Sequence, residues 1–323
     1  MRVVVEDDVF AAPEHALHLY SLLALALDGR HYLVVDRAGS GFSAWYQQRS
    51  RADQEACDLV LDAGLEAETR GTSRRSITIV QGATDWEGDP PRATLADALV
   101  LLNKPFSVLL ENWKSDFAFL LAMAKPEQRS FLERMRRQKW LHAENGGGLP
   151  DMEKRVRELK MDPVERLTLW VLFDSDARRR GDPSPASKNL RGACGKRVPC
   201  HQLERRTIES YVTRAALKAW GARWNMDDRV SAFYEMPEDD QRYFFNMKGG
   251  FQKDQKDVSS GVAEDLYGPP RLDPAIRARL TQGFGSNLRD VFADGSVTVA
   301  DLVAEGAFAE VNAAVTALLG WLR

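Results

Sequence analysis

Two aspartates one residue apart, Asp174 and Asp176, end the apolar run Leu167 to Phe173. Side chains at i and i+2 of an extended chain share a face, so the two carboxylates sit close and repel unless a cation lies between them. Oxygen-only ligands of this kind suit Mg²⁺ or Mn²⁺. The plainer alternative makes Asp174 a helix cap and Asp176 a solvated turn residue. A second acid, Glu111, ends another apolar run, Ser107 to Leu110, and is followed by Asn112-Trp-Lys-Ser115-Asp116. Glu111 is a candidate metal ligand or general base, and Asp116 a further candidate ligand.

Both runs need strands to present them. Each is too short for a core helix and rich in strand formers, and the Asp174 run looks covered on both faces, as in the middle of a parallel sheet. The carboxyl ends of such strands border the crevice where open α/β sheets place their chemistry. Ser115 is expected to cap a helix whose apolar spacing runs from Phe117 through Leu121 to Met123.

Two acid-tipped strands with helical material between them resemble the Toprim domain, the magnesium-binding fold of topoisomerases, primases and a class of nucleases. Leu109-Leu-Glu-Asn-Trp-Lys-Ser-Asp116 is similar to the family's first motif, an apolar strand ending "EG-x-x-D", with Asn112 in place of the glycine. Val171-Leu-Phe-Asp-Ser-Asp176 is similar to the second, "D-x-D". Leu203-Glu-Arg-Arg-Thr-Ile-Glu-Ser-Tyr-Val212 resembles the "R-x-x-I-E-N-Y-L" segment of Toprim nucleases related to the OLD (overcoming lysogenization defect) family. Tyr243-Phe-Phe-Asn-Met-Lys248-Gly-Gly resembles the Lys-Gly segment that follows in several of them. The likeness covers residues 76 to 250. It implies a metal-dependent endonuclease acting on DNA, tRNA or other RNA, with Glu111, Asp174, Asp176 and Lys248 catalytic and Asp116 and Glu209 near the metal. One or two metal ions fit this reading. OLD-like proteins of this kind commonly work beside a separate ATPase in anti-phage defence.

The segment from Ala177 to Arg206 carries nine Lys/Arg (Arg178, Arg179, Arg180, Lys188, Arg191, Lys196, Arg197, Arg205 and Arg206) against Asp182 and Glu204. Beside a carboxylate cluster, such cations would hold a phosphodiester backbone. The alternatives are a solvated loop or a docking surface for an acidic partner. The net charge of the whole chain is −3, so no global pull toward nucleic acid exists.

Composition is that of an ordinary globular protein, with 44% apolar and 28% charged residues. Cys57, Cys194 and Cys200 make no disulfide framework, and a zinc site at Cys194, Cys200 and His201 would need a fourth ligand that is not evident. No signal segment or membrane span is apparent, which leads us to expect a cytoplasmic protein. There is no Walker A sequence, so no ATPase of the type fused to Toprim in OLD proteins.

In chain order, residues 1–75 read as an N-terminal accessory α/β module. It would hold a helix over His15–Leu27, a strand over Tyr32–Asp36, a turn at Gly39-Ser-Gly41, a helix over Ser50–Leu65 and a linker over Glu68–Arg75. Residues 76–225 read as the Toprim-like catalytic domain, a mainly parallel sheet flanked by helices. Its further elements are strands at Ser76–Val80, Trp140–Glu144 and Val198–Leu203, and helices at Leu95–Leu102, Glu127–Lys139, Asp151–Lys160 and Thr207–Trp220. Gly146-Gly147-Gly148 is either a close backbone approach to a ligand or a loop. Residues 226–323 read as a mostly helical region. It has a polar stretch at Asp254–Gly261 and an Ala/Leu-rich helix or helix pair at Val299–Leu322, whose stripe suits core or a homo-oligomer interface. Two other function classes stay open: a non-catalytic Toprim-like scaffold, and a phosphotransferase or phosphatase with Asp174 as nucleophile.

Overall fold

The computed structural model describes residues 1–71, 73, 75–256 and 263–322. The chain forms two compact units, each with its own four-stranded parallel sheet flanked by helices. The α/β class and the mostly helical C-terminal part are as expected.

The first unit comprises Met1–Phe106, Asp162–Thr168 and Thr316–Arg323. Its strands are β1 (Arg2–Val5), β2 (Tyr32–Val35), β3 (Ser76–Ile79) and β4 (Arg92–Ala93), in the order β2-β1-β3-β4. The sequence reading ended this module at residue 75. The structure extends it to Phe106, because β3 pairs in parallel with β1 and the helix Leu95–Asn103 packs its leucines into the same core. That reading also passed over β1, although Val3 and Val5 are buried at its centre. Gly39-Ser-Gly41 is the start of a helix, Ser40–Gln47, and not a free turn. The carboxylate of Asp7, just past β1, accepts the N–H of Gly41 and of Phe42, each at 2.8 Å. A Cβ on Gly41 would lie 2.3 Å from the Asp7 carbonyl oxygen.

The second unit comprises Ser107–Met161 and Leu169–Val315. Its strands are β5 (Phe106–Leu110), β6 (Leu141–Asn145), β7 (Leu169–Phe173) and β8 (Cys200–Gln202), ordered β6-β5-β7-β8. Every residue of β5 and of β7 is buried, as central strands of a covered sheet require. Strand β7 begins at Leu169 because Pro163–Leu167 is a short helix begun by Asp162, whose side chain accepts the N–H of Val164 and Glu165. Most of residues 226–323 belong to this unit, so the separate C-terminal region expected at 226 is part of the same body.

Two local readings change, and a third resolves to one of its alternatives. Asn112, not Ser115, caps the helix Trp113–Ala122, accepting the N–H of Lys114 and Ser115. The helix expected over Thr207–Trp220 is broken into a 3₁₀ turn, Ile208–Tyr211, and a helix, Arg214–Arg223, that Thr213 caps. Residues 299–322 are two helices, Val299–Ala304 and Phe308–Leu322. The polar stretch expected at 254–261 lies outside the described residues from 257 on, as do positions 72 and 74 of the expected linker.

Gly64 lies inside the helix Arg51–Arg70, and a Cβ there would come 2.1 Å from the Leu33 carbonyl oxygen of β2. By helix propensity alone, Gly64→Ala would stabilise by about 1 kcal/mol. Overpacking of this kind costs about 1–3 kcal/mol, and backbone cannot move aside as a side chain can. We expect Gly64→Ala to lower the urea midpoint; a raised midpoint would show that the helix stands off the sheet.

Candidate active site

In the order β6-β5-β7-β8 the chain leaves β5 in one direction to form β6 and in the other to form β7, so the switch point lies between β5 and β7. Their parallel register pairs Leu109 with Val171. Extended by the same register, Glu111 falls level with Phe173, so it leaves β5 one residue before the level of Asp174 on the neighbouring strand. Both acids line one cleft of about 570 Å³, together with Asp176, Arg178, Lys188 and Lys248.

The loop after β7 is held from several sides. Asp174 accepts the N–H of Ile208 at 3.1 Å, and its carbonyl oxygen accepts the Ser187 hydroxyl at 2.8 Å. Ser175 donates to the Arg205 carbonyl at 2.7 Å. Asp176 has φ of 48°, a left-handed conformation that Asp tolerates better than most residues. Its N–H donates to the Arg206 carbonyl at 2.9 Å. Arg206 in turn forms a buried two-pronged pair with Asp254, at 2.7 and 2.6 Å, and donates to the Phe244 carbonyl at 3.1 Å. The segment after β8 and the helical region thus fix the aspartate loop.

Electrostatics mark this cleft. Burial, then the charge of Glu111, pushes the Asp174 carboxyl well above its ordinary range. Glu111 is raised by burial and by Asp176, Asp116 and Glu209, against the pull of Lys248. Asp176 is raised by burial, although Arg206, Lys248 and Lys253 oppose the shift. Lys248 reaches Glu209 at 3.2 Å. Burial works against its charge, yet Glu209, Asp174 and Glu111 hold it protonated above its ordinary value. Glu209 is 0% exposed, and neither of its oxygens accepts an aligned hydrogen bond among the described residues. The Lys248 contact compensates its charge without satisfying its lone pairs.

Other expected residues are placed differently. Asp116 does not line the cleft. Its oxygens accept the Asn112 N–H and the Ser115 hydroxyl, each at 2.9 Å, so it braces the turn that carries Glu111. Gly146 and Gly147 donate to the carbonyls of Leu110 at 2.6 Å and Glu111 at 3.2 Å, so the glycine turn lies against the end of β5. The basic segment divides. Arg178 and Lys188 line the cleft. Arg179 pairs with Asp182 and Asp265, Arg180 with Asp240, and Lys188 also with Asp182. Arg191, Lys196 and Arg197 lie toward the far end of the helix Pro185–Cys194, whose first residues line the cleft. At about 1.5 Å per residue, Arg191 is roughly 4.5 Å along the axis beyond Lys188, and the helix end roughly 9 Å. Arg205 lies over the rings of Tyr243, at 3.8 Å, and Tyr211, at 4.8 Å. The sequence reading missed Lys253, Asn246 and Thr207, which complete the cleft wall. Nothing in their spacing singles them out.

Among the described residues no three acidic, histidine or cysteine side chains converge as a ready-made ligand set, Cys194, Cys200 and His201 included. The donor chemistry still fits a hard divalent cation. The acids of the cleft, Glu111, Asp174 and Asp176 among them, offer only carboxylate oxygens; Glu209 lines a neighbouring concavity and meets the cleft through Lys248.

Raised carboxyls make a stability statement. Unfolded, Asp174 and Glu111 ionise near 3.8 and 4.5, whereas the folded protein keeps these protons to higher pH. The folded state then binds more protons across that window, so its stability falls as pH rises from about 4 toward neutrality. In EDTA at neutral pH, Asp174→Asn should melt higher than the unsubstituted protein, by about 2–4 °C per kcal/mol relieved. The gap should close near pH 4. A gap that persists at pH 4, or has the opposite sign, would refute the charge-repulsion account.

Comparison of the chain with protein families, curated proteins and solved structures finds no match.

Proposed function

We propose that the second unit is a divalent-metal-dependent phosphodiester hydrolase of the Toprim type. The observation that carries this reading is the delivery of Glu111 and Asp174 by adjacent parallel strands into one cleft, with Asp176 and Lys248 on its walls. Glu111, Asp174 and Asp176 would hold the ion. A bound Mg²⁺ or Mn²⁺ supplies Lewis-acid stabilisation of the phosphoryl oxygens and a more acidic attacking water. In the alternative role, with Asp174 and Asp176 holding the ion, the raised carboxyl of Glu111 would take a proton from the attacking water. Lys248 neutralises charge that develops on the phosphoryl group as the P–O bond to the leaving oxygen breaks. Arg178, Lys188 and Lys253 sit where flanking phosphates would pass. The resemblance extends the proposal to a cytoplasmic defence nuclease that works beside a separate ATPase.

The test is cleavage of plasmid DNA and of tRNA in Mg²⁺ and in Mn²⁺. Glu111→Gln and Asp174→Asn should each lower the rate by about 10²-fold or more while circular dichroism stays unchanged. Cleavage by both variants at the unsubstituted rate would sink the assignment. Trapping of an aspartyl-phosphate on Asp174 would turn it into a phosphotransferase.

A further inference from the structure

A second concavity, of about 380 Å³, opens beside the Glu111 turn. Its walls are the helix Trp113–Ala122, the helix Pro126–Arg137 and the segment from Phe292 to Val297. Its apolar floor includes Phe117 and Leu121. Lys114, Arg129 and Arg136 line it against a single acid, Glu133. Trp113 is 42% exposed. The Arg136 guanidinium lies 5.6 Å from the Trp113 ring and 5.0 Å from that of Phe117. Trp113 is two residues from Glu111, so their Cα atoms are within about 7 Å.

A part-exposed aromatic ring with one cation over it and others around it matches one chemistry well. Nucleobases stack on aromatic rings regardless of sequence, while neighbouring cations take the phosphates on either side. Bases inside a duplex have no free face, so the groove selects strands whose bases are unpaired or flipped out. We infer that the groove at Trp113 and Arg136 receives an unpaired base of the nucleic-acid substrate next to the scissile phosphate. The inference deepens the proposed function by naming single-stranded or locally opened nucleic acid as the substrate class, and it rests on that reading for the substrate's identity.

The test separates the two. Binding is measured by fluorescence anisotropy in EDTA, where cleavage is absent, with labelled single strands of about 12 nucleotides, DNA in one arm and RNA in the other, and with their duplexes. Trp113→Ala should weaken single-strand binding by about 5- to 150-fold, the loss of one base–aromatic stack, and leave duplex binding nearly unchanged. Trp113→Phe should restore most of the affinity, which controls for misfolding. Arg136→Gln should weaken binding and flatten its salt dependence. Equal losses on single strands and duplexes, or none on either, would overturn the inference. So would a groove that serves self-association, seen as a dimer lost in Trp113→Ala with nucleic-acid binding intact. Single-strand binding that needs Trp113, without cleavage in any metal, keeps the groove and removes the nuclease. Cleavage indifferent to Trp113 does the reverse.

Discussion

Negative charge taken out of water has to be met by positive charge, and in the second unit this requirement ties distant stretches of chain together. Isolated ions buried in protein cost several kcal/mol each unless paired. Lys248 sits within the electrostatic reach of Glu209, Asp174 and Glu111, and Arg206 and Asp254 close a second buried pair. Lys248 and Asp254 come from the C-terminal third, whereas the groups they pair with, the acids Glu111, Asp174 and Glu209 for Lys248 and the cation Arg206 for Asp254, come from the ends of β5 and β7 and the segment after β8. The helical region is therefore held to the sheet by charge as well as by packing. A boundary drawn at residue 225 would cut both pairs.

The two pairs do different work. Arg206 and Asp254 satisfy each other, and Asn246 donates to Asp254 at 3.0 Å, so that network is closed and rigid. Its backbone carbonyl then fixes the N–H of Asp176. Lys248 and Glu209 form an open pair, with carboxylate lone pairs left over. A closed pair stabilises a shape; an open one leaves affinity for something further.

What was legible in the sequence followed burial. Strands β5 and β7 are covered on both faces, so they read as unbroken apolar runs, and the acids at their ends stand out against them. Strand β1 carries the same signal in Val3, Val4 and Val5, but the stretch was weighed only as a targeting segment. Strand β4 is two residues long and has no periodicity to detect. The break in the expected helix at 207–220 depends on Thr213 capping the second piece, which residue types alone do not fix. The cations between 177 and 206 were legible as charge, not as partners. Composition gives the charge but not the partner, and Asp240 and Asp265, which answer Arg180 and Arg179, lie far along the chain. Glu209 was legible as a residue type in a motif, but its complete burial was not.

Both sheets have the same local strand order, in which the first strand of the set stands between the second and third. Each unit thus owns a crevice of the kind that attracts ligands, with an acid just past its central strand. In the first unit that acid is already committed: Asp7 occupies the N-terminus of the helix Ser40–Gln47, where a phosphate would otherwise dock. The protein supplies its own anion there, and the glycines at 39 and 41 make room for it. Backbone geometry alone would rank the two crevices as equals. What separates them is whether the acid at the strand end is bonded by backbone N–H groups, as Asp7 is, or lies among other buried acids, as Glu111 does.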